Sequence, residues 1–176
     1  MSKCEVGRLK LDSNIELIIG DITSSEADAI VNAANPKMLG GGGVDGAIHR
    51  AAGTGLLDAC RKVKAVNGIR CPFGEARITS AGNLRSKYVI HTAGPIYRNE
   101  QNPASVLESA YRSACELAIK NDCQSVAFPA ISCGAYGYPY EEAAQIAIDT
   151  CRQYPQLKVA FYLVDKALAD VFRSII

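Results

Sequence analysis

Histidine is scarce in this chain of 176 residues: only His49 and His91 occur, far apart, and its seven cysteines form no CxxC pair. A zinc cage draws its ligands from close sets of Cys and His, so no metal is expected. The thiols Cys4, Cys60, Cys71, Cys115, Cys123, Cys133 and Cys151 are odd in number and scattered. That suits no disulfide framework and points to a reducing, cytoplasmic compartment. A block of Lys and Arg is also lacking, since 19 basic and 18 acidic side chains leave a net charge of +1. Charge therefore predicts no nucleic acid partner. No stretch approaches the 18 or so apolar residues of a membrane span, and residues 1–11 interrupt their single apolar positions with Lys3, Glu5, Arg8 and Lys10. Neither a membrane partner nor export is expected. No Gly-Lys-Ser/Thr closes a phosphate loop, and no motif calls for a bound cofactor.

What the sequence does hold is ample apolar material, 48% against 21% charged, enough for one domain over residues 1–176. Short apolar runs at Ile15 to Ile19, Ala29 to Asn32, Ala76 to Thr79, Tyr88 to His91, Ser125 to Phe128 and Val159 to Val164 read as strands. Between them, apolar residues at spacings of three and four predict helices near Val44 to Ala52, Leu56 to Val66, Ala104 to Lys120, Tyr140 to Tyr154 and Lys166 to Ile175. Solidly apolar strands alternating with amphipathic helices imply an α/β fold. The expected form is a three-layer α/β/α sandwich around a mixed, mostly parallel sheet of six strands. In such sheets ligands sit at the carboxyl ends of the strands. That draws attention to the loops at Gly20-Asp21-Ile22, Asn32-Ala33-Ala34-Asn35 and Ala130-Ile131-Ser132.

Four consecutive glycines, Gly40 to Gly43, run into the helical stripe of Val44, Ile48 and Ala51, with Gly53 as its stop. Each ordered glycine costs roughly 0.5–1 kcal/mol relative to alanine. Close approach of bare N–H groups to an anion at a helix amino terminus offsets that cost, and a diphosphate fits. The run also spells GxGxxG, but it does not follow a strand directly and no acidic residue stands about 20 positions on, as the dinucleotide fingerprint needs. Asp45 falls in the first helical turn, where a carboxylate ordinarily just complements the dipole. Beside a diphosphate it would be repelled, and its pKa raised toward that of a useful base. His49 lies one turn further and is expected to be packed; His91 is expected in the core or at a strand end.

A second loop, Ser132-Cys133-Gly134-Ala135-Tyr136-Gly137-Tyr138-Pro139, joins the strand ending at Phe128 to the helix at Tyr140. Its small residues let backbone amides close over the other side of the diphosphate; Tyr136 is placed to flank a sugar or base, whereas Tyr138 beside a glycine reads more readily as a plug of the loop. Cys133 has no cationic or histidine activator near it in sequence, so no thiol chemistry is expected.

Gly20-Asp21-Ile22-Thr23, Asn32-Ala33-Ala34-Asn35, Gly40 to Asp45 and Ser132 to Gly137, in this order and spacing, resemble the macrodomain family. The likeness is to its MacroD-type hydrolases and bacterial O-acetyl-ADP-ribose deacetylases in particular. It spans nearly the full chain and includes the interval of ten from Asn35 to Asp45 typical of the hydrolytic branch. The resemblance implies an enzyme that cleaves esters on the terminal ribose of ADP-ribose, either O-acetyl-ADP-ribose or mono-ADP-ribose on acidic side chains of proteins. Asp21 would accept from the adenine amino group beside the Ile22 backbone. Gly43, Val44, Ser132, Cys133, Gly134, Ala135 and Tyr136 would enclose the diphosphate, with Tyr136 also against the distal ribose. Asn35 would hold that ribose and share the catalytic role, Asn32 would belong to the substrate-binding set as organiser of its loop, and Asp45 would activate or position the attacking water, with or without help from a phosphate oxygen. Relatives often carry Thr at Cys133, and an aromatic residue near the adenine where this chain has Val164. A non-catalytic ADP-ribose reader is the main alternative, disfavoured by the presence of both Asn35 and Asp45. An RNA-associated regulator has no support from charge.

Overall fold

Ile30, Val31, Val89 and Ile90 give Ala29–Ala33 and Tyr88–Thr92 apolar middles, and in the computed structural model, which describes residues 7–175, the two runs pair in parallel with Val31 opposite Ile90. Among the described residues there are seven strands, β1 (Arg8–Lys10), β2 (Ile15–Ile19), β3 (Ala29–Ala33), β4 (Ala76–Ser80), β5 (Tyr88–Thr92), β6 (Ser125–Phe128) and β7 (Lys158–Leu163). Five α-helices are interleaved with them: α1 (Gly43–Ala52), α2 (Thr54–Arg61), α3 (Pro103–Lys120), α4 (Tyr140–Arg152) and α5 (Lys166–Ser174). The sheet order is β1-β2-β7-β6-β3-β5-β4, with both edge pairs antiparallel and every inner pair parallel. Parallel neighbours need crossovers, and the helices that supply them cover both faces.

Alternation along the strands divides the core. Val31, Ile90, Val126, Phe128, Val159 and Phe161 pack under α3, α4 and α5, where Tyr111, Ile148 and Phe172 meet them. The next residues along, Ile30, Val89 and Ala127, face the opposite way and meet Ile48 and Leu56 of α1 and α2. The three-layer sandwich expected from the sequence is thus present, with one difference in strand count.

The seventh strand is β1. It pairs Leu9 with Leu17 at the sheet edge, and all three of its residues are exposed. An edge strand with no buried side leaves no apolar run to read. The second difference is α2, which stops at Arg61 instead of reaching Val66. Past it, Val66 and Ile69 bridge each other around Asn67 and Gly68, both at positive φ. That is the Asn-Gly turn of a tight hairpin.

Chain direction places the site. From β3 the chain proceeds through α1, α2 and β4 to β5 on one side, whereas from β6 it proceeds through α4 to β7 on the other. The adjacent carboxyl ends of β3 and β6 therefore part, and such a switch point opens a crevice. Among the described residues, no helix is long and apolar enough to cross a membrane.

Candidate functional site

The crevice is a cleft of about 790 Å³, walled by the β2 end (Gly20, Asp21, Ile22), the β3 loop (Ala33, Ala34, Asn35), Gly41 to Asp45, the β6 loop (Ala130 to Tyr136) and the β7 end (Leu163, Val164, Asp165). That volume suits a ligand of nucleotide size.

Gly42 is the N-cap of α1 and supplies no side-chain cap, so the leading N–H groups of the helix are left for the cleft. The glycine loop folds tightly onto that helix: a Cβ at Gly46 would stand 2.6 Å from the Gly41 carbonyl oxygen. On the facing wall the β6 loop is fixed from beneath. Ser132 takes φ 67°, unusual for a residue with a side chain, and its Oγ donates to the Pro95 carbonyl at 2.8 Å. Gly94 gives it room, since a Cβ there would lie 2.4 Å from Ser132 Oγ. Ile131 N donates to the hydroxyl of buried Tyr111 at 3.0 Å, and Tyr138 N donates to Ser132 O at 2.9 Å. The N–H groups of Gly134, Ala135 and Tyr136 have no partner within the described chain. Two stretches of the cleft wall therefore carry unused main-chain donors, an arrangement suited to a diphosphate.

At one end of the cleft lies Asp45, buried in the first turn of α1. Asn32 Nδ2 donates to its Oδ1 at 2.8 Å, and His49 Nε2 stands 3.5 Å from the same oxygen. Burial pushes the Asp45 carboxyl above its ordinary range, against the opposing pull of the Asn32 hydrogen bond and of His49. Tyr136 is half-buried nearby, its hydroxyl pushed up by burial and by the Asp45 charge. Asn35 lines the same end with its amide already engaged in its own loop, Nδ2 donating to Gly40 O at 3.1 Å and Oδ1 accepting from Met38 N at 3.2 Å. One amide hydrogen and one lone pair remain for a ligand.

At the other end Asp21 caps the 3₁₀ turn Ile22–Ser24, Oδ1 accepting from Thr23 N and from Thr23 Oγ1. Its second oxygen is uncommitted. Val164 beside it is 81% exposed and stacks on nothing. Asp165 caps α5, accepting from Ala167 N and Leu168 N, and takes the Tyr140 hydroxyl at 3.2 Å.

The Macro domain family model matches residues 31–147, from β3 through most of α4 and so across both donor loops. The chain belongs to the macrodomain family. A macro domain-containing protein of Vibrio parahaemolyticus is 58% identical over 161 residues, covering 90% of this chain and 95% of the relative. An O-acetyl-ADP-ribose deacetylase of Klebsiella pneumoniae is 50% identical over 167 residues, covering 92% and 95%. A crystal structure of the Trypanosoma brucei macrodomain in complex with ADP-ribose superposes with TM-score 0.85 at 36% identity, covering 96% of this chain and 74% of that one.

Within this macrodomain the expected residues mostly converge: Asp21, Ile22, Asn35, Gly43, Val44, Asp45 and Ser132 to Tyr136 all wall one cleft. Three do otherwise. Asn32, expected as a substrate contact, is fully buried and absent from the wall, because its amide is turned to Asp45 from behind. Tyr138, which reads more readily as a plug of its loop than as a partner of a sugar or base, is such a plug, buried and packed edge-on against Tyr97 at 4.9 Å. Burial pushes the Cys133 thiol up to about 12, so it stays protonated at neutral pH and, as expected, is no nucleophile. Wall residues that sequence reasoning missed include Gly94, Tyr140 and Tyr162. For Gly94 the signal was a glycine just beyond a buried strand; for Tyr162 there was none, since strand tyrosines pack in cores more often than they line clefts.

Proposed function

We propose that this macrodomain is a hydrolase of ester bonds on the terminal ribose of ADP-ribose, acting on O-acetyl-ADP-ribose or on mono-ADP-ribose attached to acidic protein side chains. The observation that carries this is Asp45: a buried carboxylate of raised basicity, at the end of a cleft whose middle offers two rows of main-chain donors. The deacetylase relative and the ADP-ribose complex of the trypanosome relative support the same ligand chemistry.

In this reading the diphosphate lies between Gly43-Val44 and Ser132 to Tyr136, which directs the adenine toward Asp21 and the distal ribose toward Asn35, Asp45 and Tyr136. Asp45 draws the proton from a water whose oxygen attacks the acyl carbon. The acyl–oxygen bond to the ribose then breaks, the ribose oxygen takes the proton that Asp45 drew, and the products are the free acid and ADP-ribose. A bound diphosphate adds negative charge near Asp45 and raises its proton affinity further, which strengthens it as a base once the substrate is seated. No metal is used by this scheme. The six described cysteines, all free and buried, support a reducing, cytoplasmic setting.

Incubating the protein with each of the two esterified substrates and following release by mass spectrometry tests the reading. Release of ADP-ribose or acetate by the wild type, and none by Asp45→Ala, is the expected result. Equal turnover by both would leave Asp45 as a helix-terminal charge with no chemistry.

A further inference from the structure

Behind the cleft a line of polar side chains crosses three strands in a layer that is otherwise apolar. Asn32 on β3 and His91 on β5 are register partners, and Thr79 on β4 lies diagonal to His91. All three are buried on the side of the sheet covered by α1 and α2. Thr79 Oγ1 is 3.0 Å from His91 Nε2, Asn32 Nδ2 is 3.2 Å from His91 Nδ1, and the same Nδ2 is 2.8 Å from Asp45 Oδ1. Buried polar groups in an apolar layer cost free energy unless each bond has a donor facing an acceptor, so the directions in this line are constrained.

They can be worked out from either end. The Thr79 hydroxyl proton is given to the Ser80 carbonyl at 2.9 Å, which leaves its oxygen to accept from His91 Nε2–H. His91 Nδ1 then carries a lone pair and accepts from Asn32. From the other end, an ionised Asp45 is an acceptor alone, so Asn32 must present its nitrogen there, and the second hydrogen of that nitrogen serves His91 Nδ1. Both routes arrive at the same tautomer. Asn32 Oδ1 is consequently left buried with no partner among the described residues. The amide holds this orientation even though its oxygen forgoes a hydrogen bond, as expected if the line and not the oxygen's own needs sets it. Burial holds the His91 imidazole neutral, its pKa pushed down to about 3, so the pattern persists at neutral pH.

We infer that Thr79 and His91 are positioning residues for the reaction at Asp45: through the Nε2–H tautomer they lock the Asn32 amide with its nitrogen toward the carboxylate and so fix where Asp45 holds its water. This rests on the proposed role of Asp45. Neither Thr79 nor His91 lies in the wall of the cleft, so neither touches substrate. Without the Thr79 oxygen, His91 Nε2 keeps only the Cys60 thiol, at 3.7 Å, a weak acceptor. The proton is then free to move to Nδ1, which would turn the Asn32 oxygen toward His91 and toward Asp45.

The test uses the full chain as wild type, Thr79→Val, Thr79→Ser and Asp45→Ala, with O-acetyl-ADP-ribose for turnover, ADP-ribose for calorimetry and 15N spectra of the His91 ring. Thr79→Val keeps the shape of the side chain, and ADP-ribose binding reports whether the cleft is intact. The expected result is a kcat lowered on the order of ten- to a hundredfold with ADP-ribose affinity within about twofold of wild type. Thr79→Ser should restore turnover, and the wild-type spectrum should show the proton on Nε2. Wild-type kcat in Thr79→Val while Asp45→Ala is inactive would overturn the positioning role alone. Loss of turnover matched by loss of affinity and unrepaired by serine would overturn it too, since that marks a packing defect, as would a wild-type ring protonated on Nδ1. If Asp45→Ala turns over like the wild type, the reading of Asp45 falls and the positioning role with it.

Discussion

The cleft has a carboxylate at each end, and the two are built in opposite ways. Asp45 is buried in helix α1, held by a side chain from strand β3 thirteen residues away, and pushed toward higher basicity by its surroundings. Asp21 is exposed, and its oxygen bonds go to Thr23, two residues on. A carboxylate that must change protonation during a reaction gains from burial, which brings the charged and neutral forms closer in free energy. One that only accepts a hydrogen bond from a ligand gains from a local, preformed geometry and from water contact that keeps it charged. The difference suggests that one end of the cleft reacts while the other end selects, and each can be changed without the other.

The largest effect is expected at the reacting end. Asp45→Ala should lower kcat by about 10²–10⁴-fold, the usual weight of a positioned acid or base, while ADP-ribose still binds in calorimetry. Asp21→Ala should do the converse. Removing a charged acceptor costs roughly 1.5–3 kcal/mol, so ADP-ribose affinity should fall about ten- to a hundredfold with kcat at saturation nearly unchanged. Separate titration of binding and turnover in both variants checks the division. A single pattern of loss shared by the two would break it.

How far each end could be read from the sequence follows from the same difference. Gly20-Asp21-Ile22-Thr23 is one local segment, and the turn it forms is the turn it suggests. The glycine loop and its helix were equally plain: the predicted stop at Gly53 is the observed C-cap. What the sequence hid was everything that depends on strand neighbours. Asn32 sits next to Asn35 in a motif, yet alternation on β3 sends it under the sheet to Asp45. The sequence points to a bound diphosphate as what raises the Asp45 pKa, whereas burial raises it already without a ligand. His91 read as a core histidine, which it is, but its partners come from strands whose adjacency no local pattern encodes. The missed edge strand β1 has the same cause, since its pairing with β2 is its only reason to be a strand.

A third way to sharpen the comparison uses stability. A carboxyl whose folded pKa is raised above its unfolded value imposes no penalty below the unfolded value of about 3.9, and a full penalty once the pH exceeds the folded value. Asp45→Asn keeps the shape and offers Asn32 Nδ2 an acceptor, so it should melt higher than wild type at pH 7, by about 2–4 °C for each kcal/mol relieved in a chain of this size. The gap should shrink as the pH is lowered toward 4. On the same sign, the turnover of the wild type should fail on the acid side at a pH above the ordinary carboxylate range, because the base must be ionised to act. Melting curves of both proteins at several pH values check the first expectation, and a pH profile of kcat/KM checks the second.

The smallest effect is expected at Val164. Its side chain is open to water at the selecting end, beside Asp21. Tyr140 and Tyr162 also wall this end, and the Tyr140 hydroxyl is tied to Asp165. An aromatic face stacked on adenine contributes about 0.5–1.5 kcal/mol beyond the area it covers. Val164→Phe should therefore tighten ADP-ribose binding by about two- to tenfold, with kcat at saturation unchanged, because the ring acts far from Asp45. A Phe variant that binds no better would mean that the existing tyrosines already confine the base. One that alters kcat would mean that the two ends are coupled along the diphosphate, contrary to the division argued from Asp21 and Asp45.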